Sequence, residues 1–165
     1  MLESIDHVNI VVRDLDGMAD FYTRLLGTKI TKRVTISGPW IDQTVGLVGV
    51  NADVIYLDLP HGPRVELIRY NSPPGSSLPD AGKSNTAGLR HLAFKVSDIE
   101  SAVQKLREAG VKFFSDIQLV PDSQVTYAGG LRKRLVYFQD PEGNLLELCE
   151  YKTGNVERET WSSKT

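Results

Sequence analysis

Apolar and polar residues alternate along residues 5–12. After the polar Asp6, Val8, Ile10 and Val12 fall on one side, and His7, Asn9 and Val11 on the other. A period of two carried by β-branched residues predicts a strand covered on one face. The period then changes. Leu15, Met18, Ala19, Tyr22, Leu25 and Leu26 recur at helical spacing, with Asp14 placed as N-cap and Gly27 as the terminating C′ glycine. Three strand-like runs follow, near residues 28–34, 52–59 and 64–70. Trp40, Thr44, Val45 and Leu47 predict a short helix between the first two.

A second stretch has the same plan. Leu92, Phe94 and Val96 form an apolar strand face. Ser97 and Glu100 have capping-box spacing. Ile99, Ala102, Val103, Leu106 and Ala109 form a helical stripe that Gly110 ends, and strand-like runs follow near residues 112–120, 132–139 and 144–151. The last two runs of each half are joined by turns, Pro60-His61-Gly62-Pro63 and Asp140-Pro141-Glu142-Gly143. His7 and His91 are 84 positions apart, as are Asp14 and Asp98. A fixed offset across a strand–helix unit is an internal duplication. The predicted class is α+β, with two tandem βαβββ modules. The first covers residues 1–71 and the second 88–152, joined by a Pro/Ser/Gly-rich linker at 72–87. A polar tail at 153–165 is either disordered or packed on a partner, and its Trp161 points to the second.

Composition narrows the setting. The 165 residues suit one domain, and 41% hydrophobic with 24% charged residues is ordinary for a globular chain. No apolar run reaches a membrane span, and Met1-Leu2-Glu3-Ser4-Ile5-Asp6 does not read as a secretory signal. The lone cysteine, Cys149, has no internal disulfide partner and fits a cytoplasmic setting. A net charge of -2 argues against a general nucleic-acid coat. No nucleic-acid or membrane partner is expected.

The candidate chemistry lies on the strand faces turned away from the helices. Val65 and Leu67 take the apolar face of one strand, which turns Glu66 the other way; Leu146 and Leu148 do the same for Glu147. His7 and His91 follow the same rule. Each half thus presents one histidine from its first strand and one glutamate from its last. Two imidazoles and two carboxylates suit a divalent metal: zinc, nickel, cobalt, manganese or iron(II). Four protein ligands on an octahedral ion leave two positions for water or substrate. Alternation also turns Asn9, Arg64, Ala93, Lys95 and Tyr137 toward a pocket. His61 is expected to be a structural or exposed turn residue. The run Gly129-Gly130-Leu131-Arg132-Lys133-Arg134 is either a solvated loop or a cradle for an anionic group.

Several motifs resemble one known group. They are Ile5-Asp6-His7-Val8, Phe21-Tyr22-x-x-Leu25-Leu26-Gly27, Val65-Glu66-Leu67, the strand from Leu89 to Val96, and Phe138-Gln139-Asp140-Pro141-Glu142-Gly143-Asn144-Leu145-Leu146-Glu147-Leu148. Together they resemble the vicinal oxygen chelate superfamily of glyoxalase I, methylmalonyl-CoA epimerase, extradiol dioxygenases, fosfomycin-resistance thiol transferases and bleomycin-binding proteins. The resemblance implies βαβββ modules whose mixed sheet curls round a metal-centred cavity, with His7, Glu66, His91 and Glu147 in the ligand slots. That set is similar to bacterial glyoxalase I. Epimerases often carry Gln in the slot of Glu66, and extradiol dioxygenases use only the slots of His7, His91 and Glu147.

An acidic residue at Glu66 favours lyase or isomerase chemistry on a small carbonyl or thioester substrate. A metal polarises the carbonyl, and a carboxylate moves a proton by way of an enediolate or enolate. Glu147 is the expected proton carrier, with Glu66 the other candidate. Two further readings stay open: an extradiol-type ring-cleaving dioxygenase, and a binding protein that holds a drug or metabolite without turnover. No glutathione-binding motif is recognisable. The segment 37–50, with Trp40 as a substrate-contact candidate, is longer than a compact glyoxalase requires. The resemblance also implies a homodimer, with the site formed within one chain or shared between two.

Overall fold

The computed structural model describes residues 2–153; Trp161 lies outside them. The chain forms two compact units. Among the described residues, one comprises residues 2–90 with 139–144, the other residues 91–138 with 145–153. Among the described residues, two four-stranded mixed sheets and three α-helices make an α+β fold of two βαβββ modules.

In the first unit β1 (His7–Val11) leads into α1 (Leu15–Arg24), then β2 (Lys29–Ser37), α2 (Pro39–Val45), β3 (Asn51–Asp58) and β4 (Arg64–Ser72). The sheet order is β1-β4-β3-β2, with β1 parallel to β4 and the other pairs antiparallel. Asp14 is the N-cap of α1, accepting from Gly17 N at 3.0 Å. Leu15, Met18, Ala19, Phe21 and Tyr22 are buried, as the 3.6 period requires. The helix lies against β3 and β4, whose Ile55, Leu57, Val65 and Leu67 are buried on one face. The opposite face is partly closed by α2, whose Ile41 packs with Val50, Ala52, Val54 and Ile68.

The second unit repeats this with β5 (His91–Lys95), α3 (Ile99–Glu108), β6 (Gln118–Leu119), β7 (Leu131–Gln139) and β8 (Leu145–Thr153), in the order β5-β8-β7-β6. Three expectations change. The N-cap of α3 is Asp98, which accepts from Ser101 N, so the capping-box reading from Ser97 gives way to the arrangement at Asp14. The helix ends at Glu108, leaving Ala109 exposed beyond the buried stripe. The run at 112–120 is not a continuous strand. It reduces to a bridge at Phe113 and the two residues of β6, because Asp116 between them turns to Arg107.

The Asp140-Pro141-Glu142-Gly143 turn belongs to the first unit. Glu142 accepts from Arg13 N and Asp14 N at 2.7–3.0 Å, supplying acceptors where α1 begins. Asp140 is buried and accepts from Tyr22 Oη at 3.1 Å and from Glu142 N, Asn144 N and Asn144 Nδ2. Burial still pushes the Asp140 carboxyl above the usual carboxylate range, although those donors oppose it. Tyr22→Phe should cost about 1.5–3 kcal/mol, the worth of a hydrogen bond to a charged acceptor. A shift of the urea midpoint at unchanged m-value reads it, and an unchanged midpoint would show the bond to be dispensable.

Candidate functional site

Parallel pairing of the first and last strands places the candidate ligands. His7 stands opposite Arg64 and Asn9 opposite Glu66. In the second unit His91 stands opposite Leu145 and Ala93 opposite Glu147. Each histidine is therefore a diagonal neighbour of its glutamate on the face away from the α1- or α3-packed side. His7 Nε2 lies 3.5 Å from Glu66 Oε2, and His91 Nε2 lies 3.1 Å from Glu147 Oε2.

The two pairs sit in different electrostatic surroundings. In the first unit Asn9 Nδ2 donates to Glu66 Oε2 at 2.8 Å. His7 Nδ1 lies 2.8 Å from Asp6 Oδ2. A carboxylate only accepts, so Nδ1 donates to Asp6 and Nε2 is the ring atom that faces Glu66. That hydrogen bond holds the Asp6 carboxyl below its ordinary range. The Tyr56 hydroxyl sits against Glu66. Burial, with the neighbouring carboxylate, pushes that phenol up. Asn9 and Tyr56 are neutral partners of Glu66, and no lysine or arginine among the described residues forms an ion pair with it.

In the second unit Glu147 is 2% exposed. Its Oε2 faces His91, and its Oε1 forms an ion pair with Lys133 Nζ at 2.7 Å, at an angle that leaves Oε1 without a hydrogen bond. Desolvation opposes the Lys133 charge, but the carboxylate outweighs it and Lys133 titrates above the usual lysine range. The Tyr137 ring lies 4.9 Å from that of His91, and burial followed by the Glu147 charge raises its phenol. Burial also pushes the Cys149 thiol up, so it is a packing group rather than a nucleophile.

These donors fit a divalent cation. Two adjacent ligands held at about 2.1 Å from an octahedral ion stand about 3.0 Å apart, and both His–Glu separations lie near that value. Within neither unit, among the described residues, do three or more His, Cys, Asp or Glu side chains gather at metal-binding spacing. Each unit thus offers two donors.

The remaining expected residues are placed less uniformly. Arg64 Nε lies 3.5 Å from Asp58 Oδ1, and its guanidinium covers the Tyr56 ring at 5.5 Å. Together with Asp6 and Asp58 it lines a cleft of about 310 Å³. Trp40 is exposed on α2. Lys95 Nζ lies 5.7 Å from the Tyr151 ring centroid. His61 is exposed in its turn. The basic run after Gly130 forms neither a loop nor one cradle. It lies in β7, where Arg134 turns to Glu100 and Glu150, Arg132 pairs with Asp122, and Lys133 turns to Glu147.

Asp6, Tyr56 and Lys133 were not singled out as individual site residues from the sequence. Two were within reach of it. Tyr56 and Tyr137 are 81 positions apart, as are Glu66 and Glu147, and the string Tyr-x3-Pro-x-Gly-x3-Glu occurs in both halves. Asp6 precedes His7 directly. The ion pair of Lys133 has no counterpart in the first module and left no repeat to follow.

Residues 4–148 match the model of the Glyoxalase/Bleomycin resistance protein/Dioxygenase superfamily. The chain is 29% identical over 156 residues to a 2-epi-5-epi-valiolone epimerase of an Actinomyces species, covering 92% of this chain and 81% of that protein. It is also 29% identical over 118 residues to the human mitochondrial methylmalonyl-CoA epimerase, covering 70% of this chain and 58% of that one. Among solved structures, a glyoxalase family protein from Bacillus cereus superposes with a TM-score of 0.76 at 28% identity, covering 93% of this chain and 97% of that one.

Proposed function

The chain belongs to the Glyoxalase/Bleomycin resistance protein/Dioxygenase superfamily, and from that premise we propose that it is a divalent-metal-dependent isomerase or epimerase, or a related lyase. The substrate is a small carbonyl or thioester compound. The observation that carries the reading is the repeated His–Glu diagonal, His7 with Glu66 and His91 with Glu147. The likeness to two epimerases supports it.

His7 with Glu66, and His91 with Glu147, would each supply donors to a divalent cation, be it zinc, nickel, cobalt, manganese or iron(II). When bound, the cation supplies the Lewis acidity that makes a C–H beside a carbonyl easier to deprotonate. The proton is taken at Glu66 Oε1, the oxygen that neither Asn9 nor His7 engages. Glu66 suits the task better than Glu147, on which the sequence placed it. A proton on Glu147 would strip the mostly buried Lys133 ammonium of its counter-charge. Glu66 forms no ion pair with a lysine or arginine among the described residues, so protonating it strips no such counter-charge. Asn9 fixes the carboxylate while the proton is transferred, and Asp6 fixes the His7 ring.

The test is deuterium incorporation at the α-carbon of hydroxyketones and acyl-CoA thioesters in D2O, using the metal-loaded full chain. Wild type should exchange, and Glu66→Gln should exchange about 10²–10⁴-fold more slowly. No exchange by the loaded protein, or oxygen uptake on catechols in its place, overturns the reading.

A further inference from the structure

The two modules differ at one end of the sheet face that carries the glutamate. In the first module that end is apolar. Val11, Ala52, Ile68 and Tyr70 occupy it, and Ala52, Ile68 and Tyr70 lie in the cluster under α2. At the repeat offsets of 84 and 81, the second module has Lys95, Lys133, Cys149 and Tyr151. The tyrosine is retained, and the small or apolar residues beside it have become two lysines.

Both ammonium groups converge on that tyrosine. Lys95 Nζ lies 5.7 Å and Lys133 Nζ 5.8 Å from the Tyr151 ring centroid. Tyr127 packs edge-on against the same ring at 5.3 Å, so the ring is held in place. Lys133 is engaged by Glu147. Lys95 is exposed, and among the described residues no carboxylate forms an ion pair with it. Two cations therefore face one carboxylate, and the face keeps an excess positive charge close to Glu147. An ammonium over an aromatic ring is attracted to it but keeps N–H donors for an anion.

We propose that Lys95 and Lys133, gathered on Tyr151, form a subsite for an anionic group of the substrate, a carboxylate or a phosphate. Lys95 makes the direct contact and Lys133 supplies a second charge from its place beside Glu147. The substrate class narrows accordingly to carbonyl or thioester compounds that also carry an acid group. This narrowing rests on the reaction proposed above; the subsite itself does not.

The experiment separates the two. The full chain is stripped of metal by a chelator, dialysed into low-salt buffer and titrated with inorganic phosphate and, separately, with malonate. Malonamide is the neutral control. Backbone amide shifts of Lys95 and Tyr151 report binding. At least one anion should give saturable shifts and malonamide none. Lys95→Gln should weaken the anion about tenfold or more, while Lys95→Arg should stay within about threefold of wild type. Phosphate alone binding identifies a phosphoryl source, and malonate alone a carboxylate source. No saturable shift with either anion, or equal affinity in Lys95→Gln, overturns the subsite. Because no metal is present, a saturable anion shift alongside absent deuterium exchange leaves the subsite standing and removes only the reaction.

Discussion

His91→Ala should lower divalent-cation affinity by more than about 10²-fold, with activity falling in parallel. Loss of a residue that merely orients a ligand costs about 10–100-fold, and loss of the ligand itself costs more. The substitution removes the Nε2 atom 3.1 Å from Glu147 Oε2 and leaves that carboxylate to Lys133 and Tyr137. His7→Ala should behave alike, because His7 fills the same repeated slot against Glu66. His61→Ala is the matched control, since that side chain is exposed in a turn and should change nothing. Competition with a chromophoric chelator measures all three. Equal affinity across the three variants would remove the two histidines from the ligand set.

Arg134→Met should destabilise the fold by about 3 kcal/mol at neutral pH, the low end of what removing one partner of a buried pair costs. Glu150 is 2% exposed and accepts from Arg134 Nε at 2.9 Å and from Ile99 N at 3.3 Å where α3 begins. Arg134 also bonds Glu100 at 2.9 Å and so ties the sheet to α3. Lys152, 3.1 Å from Glu150 Oε1, remains as a partial substitute. The pH dependence has a defined sign. Burial opposes the Glu150 charge, but Arg134 and Lys152 outweigh it and hold the carboxyl below its ordinary 4.5. Stability from a depressed carboxyl is fully present above that ordinary value and is lost as pH falls through the folded one. The gap between wild type and Arg134→Met should therefore shrink below about pH 4.5. Urea unfolding at pH 7 and pH 3.5 tests this, and a gap that stays constant or widens in acid would refute it. Lys152→Met should cost less than about 1 kcal/mol, because that lysine is half-exposed.

Much of the fold was legible because the informative patterns are local. The alternation of Val8, Ile10 and Val12 requires only that neighbouring residues point to opposite faces, and the stripe of Leu15, Met18, Ala19 and Tyr22 only that a helix turns every 3.6 residues. The failures are equally local in cause. The run at 112–120 is apolar enough for a strand, yet Asp116 is drawn to Arg107 and breaks it. Ser97 and Glu100 satisfy a capping spacing, yet Asp98 stands one place closer to the helix and takes the bond. Competition between two adequate residues is settled by backbone geometry, which spacing does not contain.

The functional side chains divide in the same way. Sequence alone determined which strand face each candidate ligand occupies and that the His slot recurs at an offset of 84. Those properties follow from periodicity and duplication. Only the tertiary structure decided what each carboxylate touches. The register of β1 on β4 brings Asn9 onto Glu66, and the course of β7 beside β8 brings Lys133 onto Glu147. Two glutamates in equivalent slots thereby acquire different chemistry, one among neutral donors and one against an ammonium. Charge partners are chosen by distance in space between strands far apart in the chain, and no period along the chain encodes that distance.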